Sequence, residues 1–341
     1  MLVKSSTVRG AAATLGAMLL AAAGSVASAA DFTLKFAVAT QNEPMHEYMK
    51  LFEACVEPAS RNRIDVQLFP GGQLGGIPRM IEGLQLGTLE GMFIAGQHMR
   101  GVEKRYGVVD APGLFTSFDH ANRVYWDPRF RDAYLNAGRE RGVVGIGIFA
   151  YGPSSYATKR PVTKLEDFKG MKLRILATPV EQRIVDSLGA AGLQVDPGDW
   201  VPALQRGQLD GIRGNVVVNR SLKVHTVAKH ATMTQEAMIP VVGYLSMRFV
   251  NRLPQDLQQV IFDCGRKVER EAAPIAVKFD RDAQAAWKAE GGEIHNLGPQ
   301  DQAELQRRAA KIGEDLFGND PDLKSLYSTM VSLAREHADK K

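Results

Sequence analysis

A junction between a helix and a strand occurs twice in this chain with nearly the same residues. Residues 84–91 read LQLGTLEG and residues 204–211 read LQRGQLDG. In each copy the first glycine, Gly87 or Gly207, suits a left-handed residue that ends a helix, and the Leu-acid-Gly run leads into a strand. Such junctions are common enough to recur by chance, but the shared spacing favours two lobes of similar design.

Strand and helix signals alternate along the chain around these junctions. Short apolar or alternating runs predict strands, and apolar residues at helical spacing predict helices. The predicted strands are 32–39, 64–69, 91–95, 143–149, 171–176 and 241–250, and the predicted helices include 45–60, 78–86, 119–137 and 201–206. This order predicts mostly parallel sheets with helices on both faces.

A long helical section follows the last predicted strand. Helical patterns cover residues 253–290, with Pro274 as a kink or a break, and residues 299–338. We expect this helical section, which follows two sheets, to tie the two lobes together.

Two domains of ordinary size fit a chain of 341 residues. We expect an α/β protein with a ligand cleft between two discontinuous lobes. The first lobe is predicted to comprise residues 31–150 and about 241–280, and the second to comprise residues 151–240 and about 281–341.

Residues 1–30 have the features of a secretory signal peptide. Lys4 and Arg9 are positive, an apolar region follows over residues 11–23, and Ala-Ser-Ala at 27–29 is a small-residue cleavage site. The apolar region is shorter than the roughly 20 residues that a membrane span needs. We therefore expect a chain that is exported to the periplasm and is not inserted in the membrane.

Composition and motifs give no case for nucleic acid binding or for catalysis. The formal net charge is only +4, which is no electrostatic footprint for nucleic acid. The chain has no G-x-S-x-G elbow, no phosphate-binding loop and no H-E-x-x-H pair. The seven histidines are scattered, and His225 and His230 are five residues apart, so they would not share a helix face. We expect a protein that is not an enzyme and has no cofactor and no metal.

The two cysteines, Cys55 and Cys264, lie in predicted helices far apart in sequence. An oxidising compartment permits a disulfide between them, but sequence spacing says nothing about whether their geometry allows one. We expect two buried free thiols in preference to a disulfide.

Arg174 is the residue that most clearly indicates a ligand. It stands near the end of the predicted strand 171–176, just before the capping box at 178–181, Thr-Pro-Val-Glu. Open α/β sheets present ligands beyond the carboxyl ends of their strands, and a guanidinium suits a bidentate grip on a carboxylate. The alternative is an internal ion pair with Glu166, Asp167 or another acid.

Several segments of the chain, taken together and in order, match the pattern of a known family. These are LKFAVAT, GGQLGGIPRMIEGLQLGTLEG, DFKGMKLRI, LGAAG, ALQRGQLDG and RLPQDLQQVI. With the signal peptide and the two α/β lobes, the chain resembles the periplasmic solute-binding proteins of tripartite ATP-independent periplasmic (TRAP) transporters. It is similar to the branch named for four-carbon dicarboxylates, and the likeness covers nearly the whole mature chain.

The resemblance implies a two-lobe periplasmic binding protein fold of the type II kind that closes on its ligand like a hinged clamp. It implies that Arg174 binds the carboxylate of a small organic acid, which is then delivered to the small and large membrane subunits of the transporter. The ligand class is open among dicarboxylates, 2-oxoacids, aromatic acids and sugar acids. The alternatives are a ligand-binding module for a sensor kinase and a secreted enzyme that acts on a carboxylate substrate.

The chain departs from the family pattern shortly after the second Asp-Gly. Relatives often carry glutamate and asparagine there, whereas this chain has Arg213 and Asn215. Arg213 is expected either to bind a second carboxylate or to face solvent, and Asn215 to take the amide role. Some relatives have an aromatic residue packed on the ligand. Trp200 is a candidate substitute, with a plain core role as the alternative.

Four further residues are candidates for the cleft. Near Tyr151 and Ser154 some relatives have another arginine, and here these two side chains are expected to line the site instead. Thr40 and Gln97 follow predicted strands of the first lobe. Loops at strand ends line clefts, although plain turn chemistry also explains both residues.

Overall fold

The protein was analysed as a computed structural model, which describes residues 1–2, 30–176 and 178–338. The residues on which the predicted signal peptide rests, Lys4, Arg9, 11–23 and 27–29, lie outside the described part of the chain. Nothing structural therefore bears on that prediction.

Eleven strands are found in the described residues. They are β1 Phe32–Ala37, β2 Ile64–Phe69, β3 Gly91–Ala95, β4 Val143–Pro153, β5 Ser155–Thr158, β6 Lys172–Ile175, β7 Ala191–Gln194, β8 Gly211–Gly214, β9 His230–Met233, β10 Met238–Ser246 and β11 Glu293–Asn296.

The same part of the chain contains eleven α-helices. They are α1 Pro44–Ala59, α2 Ile77–Leu86, α3 Phe118–Trp126, α4 Pro128–Leu135, α5 Pro179–Ser187, α6 Trp200–Gln205, α7 Val216–Ser221, α8 Met247–Val250, α9 Gln255–Ala289, α10 Pro299–Gly313 and α11 Lys324–Glu336. Among them, no helix is both long enough and apolar enough to cross a membrane.

The strands form two sheets, one for each lobe. The first has the order β2-β1-β3-β10-β4, and the second has the order β11-β9-β5-β8-β6-β7. In the first sheet β10 runs antiparallel to both of its neighbours, and in the second β5 does the same, whereas the other pairs are parallel. The predicted α/β fold is confirmed, but the sheets are mixed rather than mostly parallel, since four of the nine strand pairs are antiparallel.

The chain passes between the lobes several times. Strand β4 leads almost directly into β5 of the second sheet, and β10 pairs with β4 from Met238 opposite Pro153 to Ser246 opposite Val143. Helix α9 packs against α1 and β4 in the first lobe and precedes β11 of the second. Helix α10 then contacts α5, and α11 contacts α3 and α4. The C-terminal helices therefore do touch both lobes.

The repeated junction has the same backbone conformation in both lobes. Gly87 follows α2 with φ 73° and Gly207 follows α6 with φ 70°, both in the left-handed region that favours glycine. Gly91 then opens β3 in the first sheet, and Gly211 opens β8 in the second. The sequence echo thus corresponds to one local design used twice.

Two predicted elements were wrong in extent. The single helix predicted over 119–137 is two helices, because Pro128 cannot continue the hydrogen-bond ladder of α3 and instead opens α4. The side chain of Asp127 accepts a hydrogen bond from Arg129 N at 3.0 Å and caps that new helix. The strand predicted over 241–250 ends at Ser246, after which the chain makes the short helix α8.

The cysteine prediction was also wrong, because Cys55 and Cys264 form a disulfide. Helices α1 and α9 lie side by side on the first sheet, which brings the two Cα atoms to 5.8 Å although 209 residues separate them in sequence. That separation is within the range that a disulfide requires. The bond therefore fastens the long C-terminal helix to the first lobe.

Candidate functional site

A cavity lies between the lobes, at the carboxyl ends of strands from both sheets. Its volume is about 90 Å³, room for several water-sized groups. The lining residues lie on or just after β1, β3, β4, β6, β8 and β10, or on the helices α1, α2, α6 and α7. Most of these strands present their carboxyl ends, as the rule for open α/β sheets predicts. They include the apolar side chains of Val38, Met45, Ile77, Phe93, Ile94, Leu176, Val218, Leu222, Ile239 and Val241.

Arg174 lines this cavity with its guanidinium almost fully buried. The residue is 5% exposed and lies on β6. Its Nη1 donates to the carbonyl oxygen of Arg213 at 3.4 Å and its Nε to that of Val195 at 3.5 Å, which are both long contacts. Within the described residues no carboxylate forms an ion pair with it, so the predicted alternative partners Glu166 and Asp167 do not hold it.

The charge of Arg174 persists despite burial. Desolvation lowers the pKa of this guanidinium to about 10, with the nearby Arg213 adding to the effect and Glu181 opposing it. The group is therefore still cationic at neutral pH. The charges of Glu181 and Asp196 act on Arg174 only from beyond ion-pair distance, and a buried cation without a direct ion pair is costly, which favours an anion in the cavity.

Trp200 holds the Arg174 guanidinium from one side. The guanidinium carbon lies 4.0 Å from the ring centroid, a cation–π contact. The indole Nε1–H donates to Val195 O at 2.9 Å, which fixes the ring at the start of α6. Trp200 is 2% exposed and also lines the cavity. It is therefore a core side chain that also lines the cavity, and its packing on a ligand stays a prediction.

Asn215 and Tyr151 bring polar groups to the same cavity. The Oδ1 of Asn215 accepts from Val218 N at 2.8 Å and caps α7, so its Nδ2 is the group left for other partners. Among the described residues that Nδ2 has no hydrogen-bond partner, whereas the buried Tyr151 hydroxyl lies within hydrogen-bonding range of the Glu43 carboxylate. Buried polar groups are nearly always paired, so an unpaired Asn215 donor in a residue that lines the cavity favours a ligand acceptor there.

Thr40 lines the cavity from the first lobe and is held by Glu43. Its hydroxyl donates to Glu43 Oε1 at 2.7 Å, and the same carboxylate caps α1 by accepting from Met45 N at 3.1 Å and His46 N at 3.2 Å. Burial raises the pKa of Glu43, and these hydrogen bonds oppose the rise. Burial raises the pKa of the Tyr151 hydroxyl well above its ordinary value, and the nearby Glu43 charge raises it further.

His98 is a lining residue that the sequence reasoning missed. Desolvation lowers the pKa of its imidazole to about 3, and the nearby Arg174 charge adds to the effect. The ring is therefore neutral at physiological pH and adds no charge to the cavity. Gln97, the residue predicted after β3, lies immediately before His98, so the strand-end rule identified the right loop but the wrong residue.

The structure contradicts both roles predicted for Arg213. Its side chain is 1% exposed and pairs with Glu181 and with Glu236, at 3.0 Å for the latter. Burial alone would lower the pKa of Arg213, but the two carboxylates keep it well above its ordinary value. Arg213 is therefore a neutralised interior cation that neither faces solvent nor lines the cavity.

The capping box at the start of α5 is only half formed, because Glu181 is engaged with Arg213. Thr178 Oγ1 accepts from Glu181 N at 3.1 Å as predicted. The Glu181 carboxylate does not return to the cap, because it accepts from Leu176 N at 2.7 Å and binds Arg213 instead.

Ser154 and Gln97 also differ from the prediction that they line the cavity. The Ser154 hydroxyl donates to Glu236 Oε2 at 2.5 Å and accepts from Ala237 N at 3.0 Å, so it belongs to the Arg213 network. Gln97 is 2% exposed and its Oε1 has no partner within the described part of the chain. Neither residue lines the cavity.

The chain matches one family model along most of its length. The model is described as bacterial extracellular solute-binding protein, family 7, and it matches residues 36–320. The chain is also similar to the C4-dicarboxylate-binding periplasmic protein DctP of Rhodobacter capsulatus. The two are 25% identical over 309 residues, which cover 89% of this chain and 92% of that protein.

Solved structures show the same fold. A TRAP periplasmic solute-binding protein from Ochrobactrum anthropi, with its C-terminus bound in the ligand-binding pocket, gives a TM-score of 0.78 at 26% identity, over 90% of this chain and 97% of that one. A second TRAP protein, from Pseudomonas putida F1 with bound D-glucuronate, gives a TM-score of 0.80 at 24% identity, over 91% and 98%. The predicted two-lobe fold is confirmed.

Proposed function

The chain belongs to family 7 of the bacterial extracellular solute-binding proteins, and we propose that its cleft captures a small organic acid through Arg174. The observation that carries the proposal is the buried guanidinium itself. It is cationic, stacked on Trp200 and without a carboxylate partner among the described residues. Its hydrogen bonds to two carbonyl oxygens are long, so its remaining N–H groups are available to a carboxylate.

The rest of the cavity narrows the class of acid. Arg174 is the one Arg or Lys among the described residues that line it, and His98 is neutral. A second carboxylate would be buried against Phe93, Ile94 and other apolar walls without a cation, at a cost of several kcal/mol. We therefore propose an acid with a single carboxylate and an apolar body.

The unpaired Asn215 donor adds one more feature to the proposed ligand. Asn215 lines the cavity and its Nδ2 has no partner among the described residues, so a neutral acceptor on the ligand would satisfy it. A 2-oxo or 2-hydroxy acid with an aliphatic or aromatic side chain supplies such an oxygen. A sugar acid fits less well, because its many hydroxyls would lie against apolar walls without partners.

Similar proteins provide the remaining context. The similar protein from Rhodobacter capsulatus is named as a C4-dicarboxylate-binding protein. The one from Pseudomonas putida F1 was solved with bound D-glucuronate. Both ligands are carboxylates. We propose that this chain delivers its acid to the small and large membrane subunits of a TRAP transporter, and that residues 1–30 are the leader removed on export. A sensor kinase as the recipient, or turnover of the acid in the cleft, are the competing hypotheses.

A thermal-shift screen tests the proposal. The purified protein is heated with a panel of branched and aromatic 2-oxo and 2-hydroxy acids, a four-carbon dicarboxylate and a uronate. A specific ligand at a hundredfold excess over its dissociation constant stabilises the protein by about 2.7 kcal/mol. We expect the largest shift from a monocarboxylate, and no shift in Arg174→Ala.

The matched control is Arg206→Ala, which removes an exposed arginine from the end of the helix that begins with Trp200. This variant should keep the full shift. A dicarboxylate or uronate as the best ligand would overturn the proposed class while leaving the acid-binding function intact. An Arg174→Ala protein that still binds its acid unchanged would overturn the role of the guanidinium.

A further inference from the structure

A second cluster of ligand-type side chains lies at the far edge of the second sheet. Strand β11 is the edge strand and runs parallel to β9, with Glu293 opposite His230 and His295 opposite Thr232. Because side chains alternate along a strand, Glu293 and His295 project from the same face of β11. The register therefore brings a carboxylate and two imidazoles from two strands together.

The three side chains approach one another through one atom each. His230 Nδ1 lies 3.1 Å from His295 Nε2, Glu293 Oε2 lies 3.7 Å from His230 Nδ1, and the same oxygen lies 3.6 Å from His295 Nε2. The two histidine side chains are 17% and 16% exposed, whereas that of Glu293 is 63% exposed. The imidazoles are thus largely fixed, and the carboxylate is free to adjust.

These separations match the dimensions of a metal centre. A point equidistant from three atoms so spaced lies about 2 Å from each of them, which is the length of a bond from zinc to imidazole nitrogen or carboxylate oxygen. An ion could therefore occupy that point without a shift of the backbone.

We propose that His230, Glu293 and His295 form a binding site for a divalent transition metal ion, with Zn²⁺ as the best match. Two imidazoles and one carboxylate are a donor set that zinc uses when it keeps its fourth position open. Hard cations such as Ca²⁺ and Mg²⁺ prefer sites built from oxygen atoms. The exposed Glu293 side of the cluster leaves the fourth position to water.

The competing explanation is a hydrogen bond between the two rings. A neutral imidazole carries one donor and one acceptor nitrogen, and the distance of 3.1 Å between the rings suits such a bond. The ring stacking is compatible with either explanation, since the centroids are 5.4 Å apart at an interplanar angle of 28°. Metal binding therefore has to be measured.

The site is separate from the acid cavity. Strands β9, β5 and β8 lie between β11 and the strand β6 that carries Arg174. A metal ion held by His230, Glu293 and His295 would bridge β9 and β11, and β11 follows the long helix α9. A bound ion would therefore stabilise the sheet edge where the C-terminal section joins the second lobe.

Calorimetric titration of the full, untagged protein with Zn²⁺, after treatment with a chelator, tests the site. We expect one ion per chain, no comparable binding of Mg²⁺, and a rise in melting temperature with Zn²⁺. Co²⁺ provides a second readout, since its visible absorption reports a low-coordinate site with nitrogen ligands.

Three variants decide between the explanations. Glu293→Gln and His295→Gln should each weaken Zn²⁺ binding by about tenfold or more, because loss of even an outer partner costs that much. The matched control is His225→Gln, which alters a histidine of similar exposure that pairs with Glu290 at 2.8 Å. It should bind Zn²⁺ normally.

Circular dichroism of each variant establishes that the fold is retained, and Glu293→Gln, at an exposed position, is the least disruptive. Absence of Zn²⁺ binding by the parent protein would overturn the proposal in favour of the ring-to-ring hydrogen bond. Undiminished binding by His295→Gln would overturn it as well. Neither result would affect acid binding at Arg174.

Discussion

The guanidinium carbon of Arg174 lies 4.0 Å from the ring centroid of Trp200, and the Trp200 indole is anchored to Val195 O at 2.9 Å. The backbone carbonyl of Val195 therefore contacts both members of the pair. The aromatic face, the carbonyl and the cation form one preorganised unit, which faces the cavity before any ligand arrives. Preorganisation of this kind reduces the entropy lost on binding.

Replacement of Trp200 by leucine should weaken acid binding by about 0.5–1.5 kcal/mol, because an Arg174 side chain that the ring no longer holds must be immobilised when the acid binds. The matched control is Trp126→Leu. Trp126 also stacks with an arginine, Arg270 at 4.7 Å, and donates to a carbonyl, Ile148 O at 2.9 Å, but it lies outside the cavity. Calorimetry below the melting temperature should show a loss of affinity in Trp200→Leu alone. An equal loss in both variants would mean that general destabilisation explains the effect.

Asn215→Ser should separate the capping role of Asn215 from its role in the cavity. A serine oxygen can still accept from Val218 N and cap α7, but the unpaired Nδ2 is removed. We expect a melting temperature close to that of the parent and an affinity for the acid reduced by about 0.5–1.5 kcal/mol, the value of one hydrogen bond. Unchanged affinity, measured by calorimetry, would show that the amide does not contact the ligand.

The double replacement Cys55→Ser with Cys264→Ser should lower the free energy of unfolding by about 2–4 kcal/mol. The bond joins α1 to α9 across 209 residues of sequence, so its loss frees a long loop in the unfolded chain. Urea unfolding of parent and variant measures the difference, while acid affinity should stay the same. A parent protein whose unfolding is insensitive to a reducing agent would contradict the disulfide.

Asp110 should make stability depend on pH. Thr178 Oγ1 donates to its carboxylate at 2.5 Å. Burial raises its pKa to about 7, with Glu181 adding to the rise and Arg213 opposing it. The unfolded chain ionises this carboxyl near pH 4, so its contribution to the free energy of unfolding should fall as pH rises from about 4 to 7.

Urea unfolding across that pH range tests the prediction, with Asp110→Asn as the variant. Because asparagine does not ionise, the variant should show a shallower decline than the parent. Identical pH profiles for the two proteins would place the pH dependence on another group.

The sequence predicted local structure well at positions where the backbone conformation requires a particular residue type, such as glycine at positive φ. Gly87 and Gly207 were identified as left-handed helix ends, and both have positive φ. The disulfide was missed because sequence spacing does not show that α1 and α9 are neighbours. The cluster of His230, Glu293 and His295 was missed for the same reason, since His230 and His295 are 65 residues apart and meet only through strand pairing. The predicted division of the chain between the lobes stays a prediction.

The site was predicted in outline rather than in detail. The strand-end rule identified the segments of Arg174 and Thr40, and both residues line the cavity. It could not distinguish Arg174 from Arg213, because only tertiary structure brings Glu181 and Glu236 to Arg213. His98 was missed because the neighbouring Gln97 in the same loop was chosen instead.

The most direct test of the central claim compares an acid with its uncharged amide. The best monocarboxylate from the screen and its carboxamide, matched in shape, are titrated calorimetrically into the parent and into Arg174→Ala. We predict that the parent prefers the acid by about 1.5–3 kcal/mol, the value of hydrogen bonds to a charged group, and that the preference disappears in the variant. A preference for the acid that survives in Arg174→Ala would contradict the assignment of Arg174 as the carboxylate-binding residue.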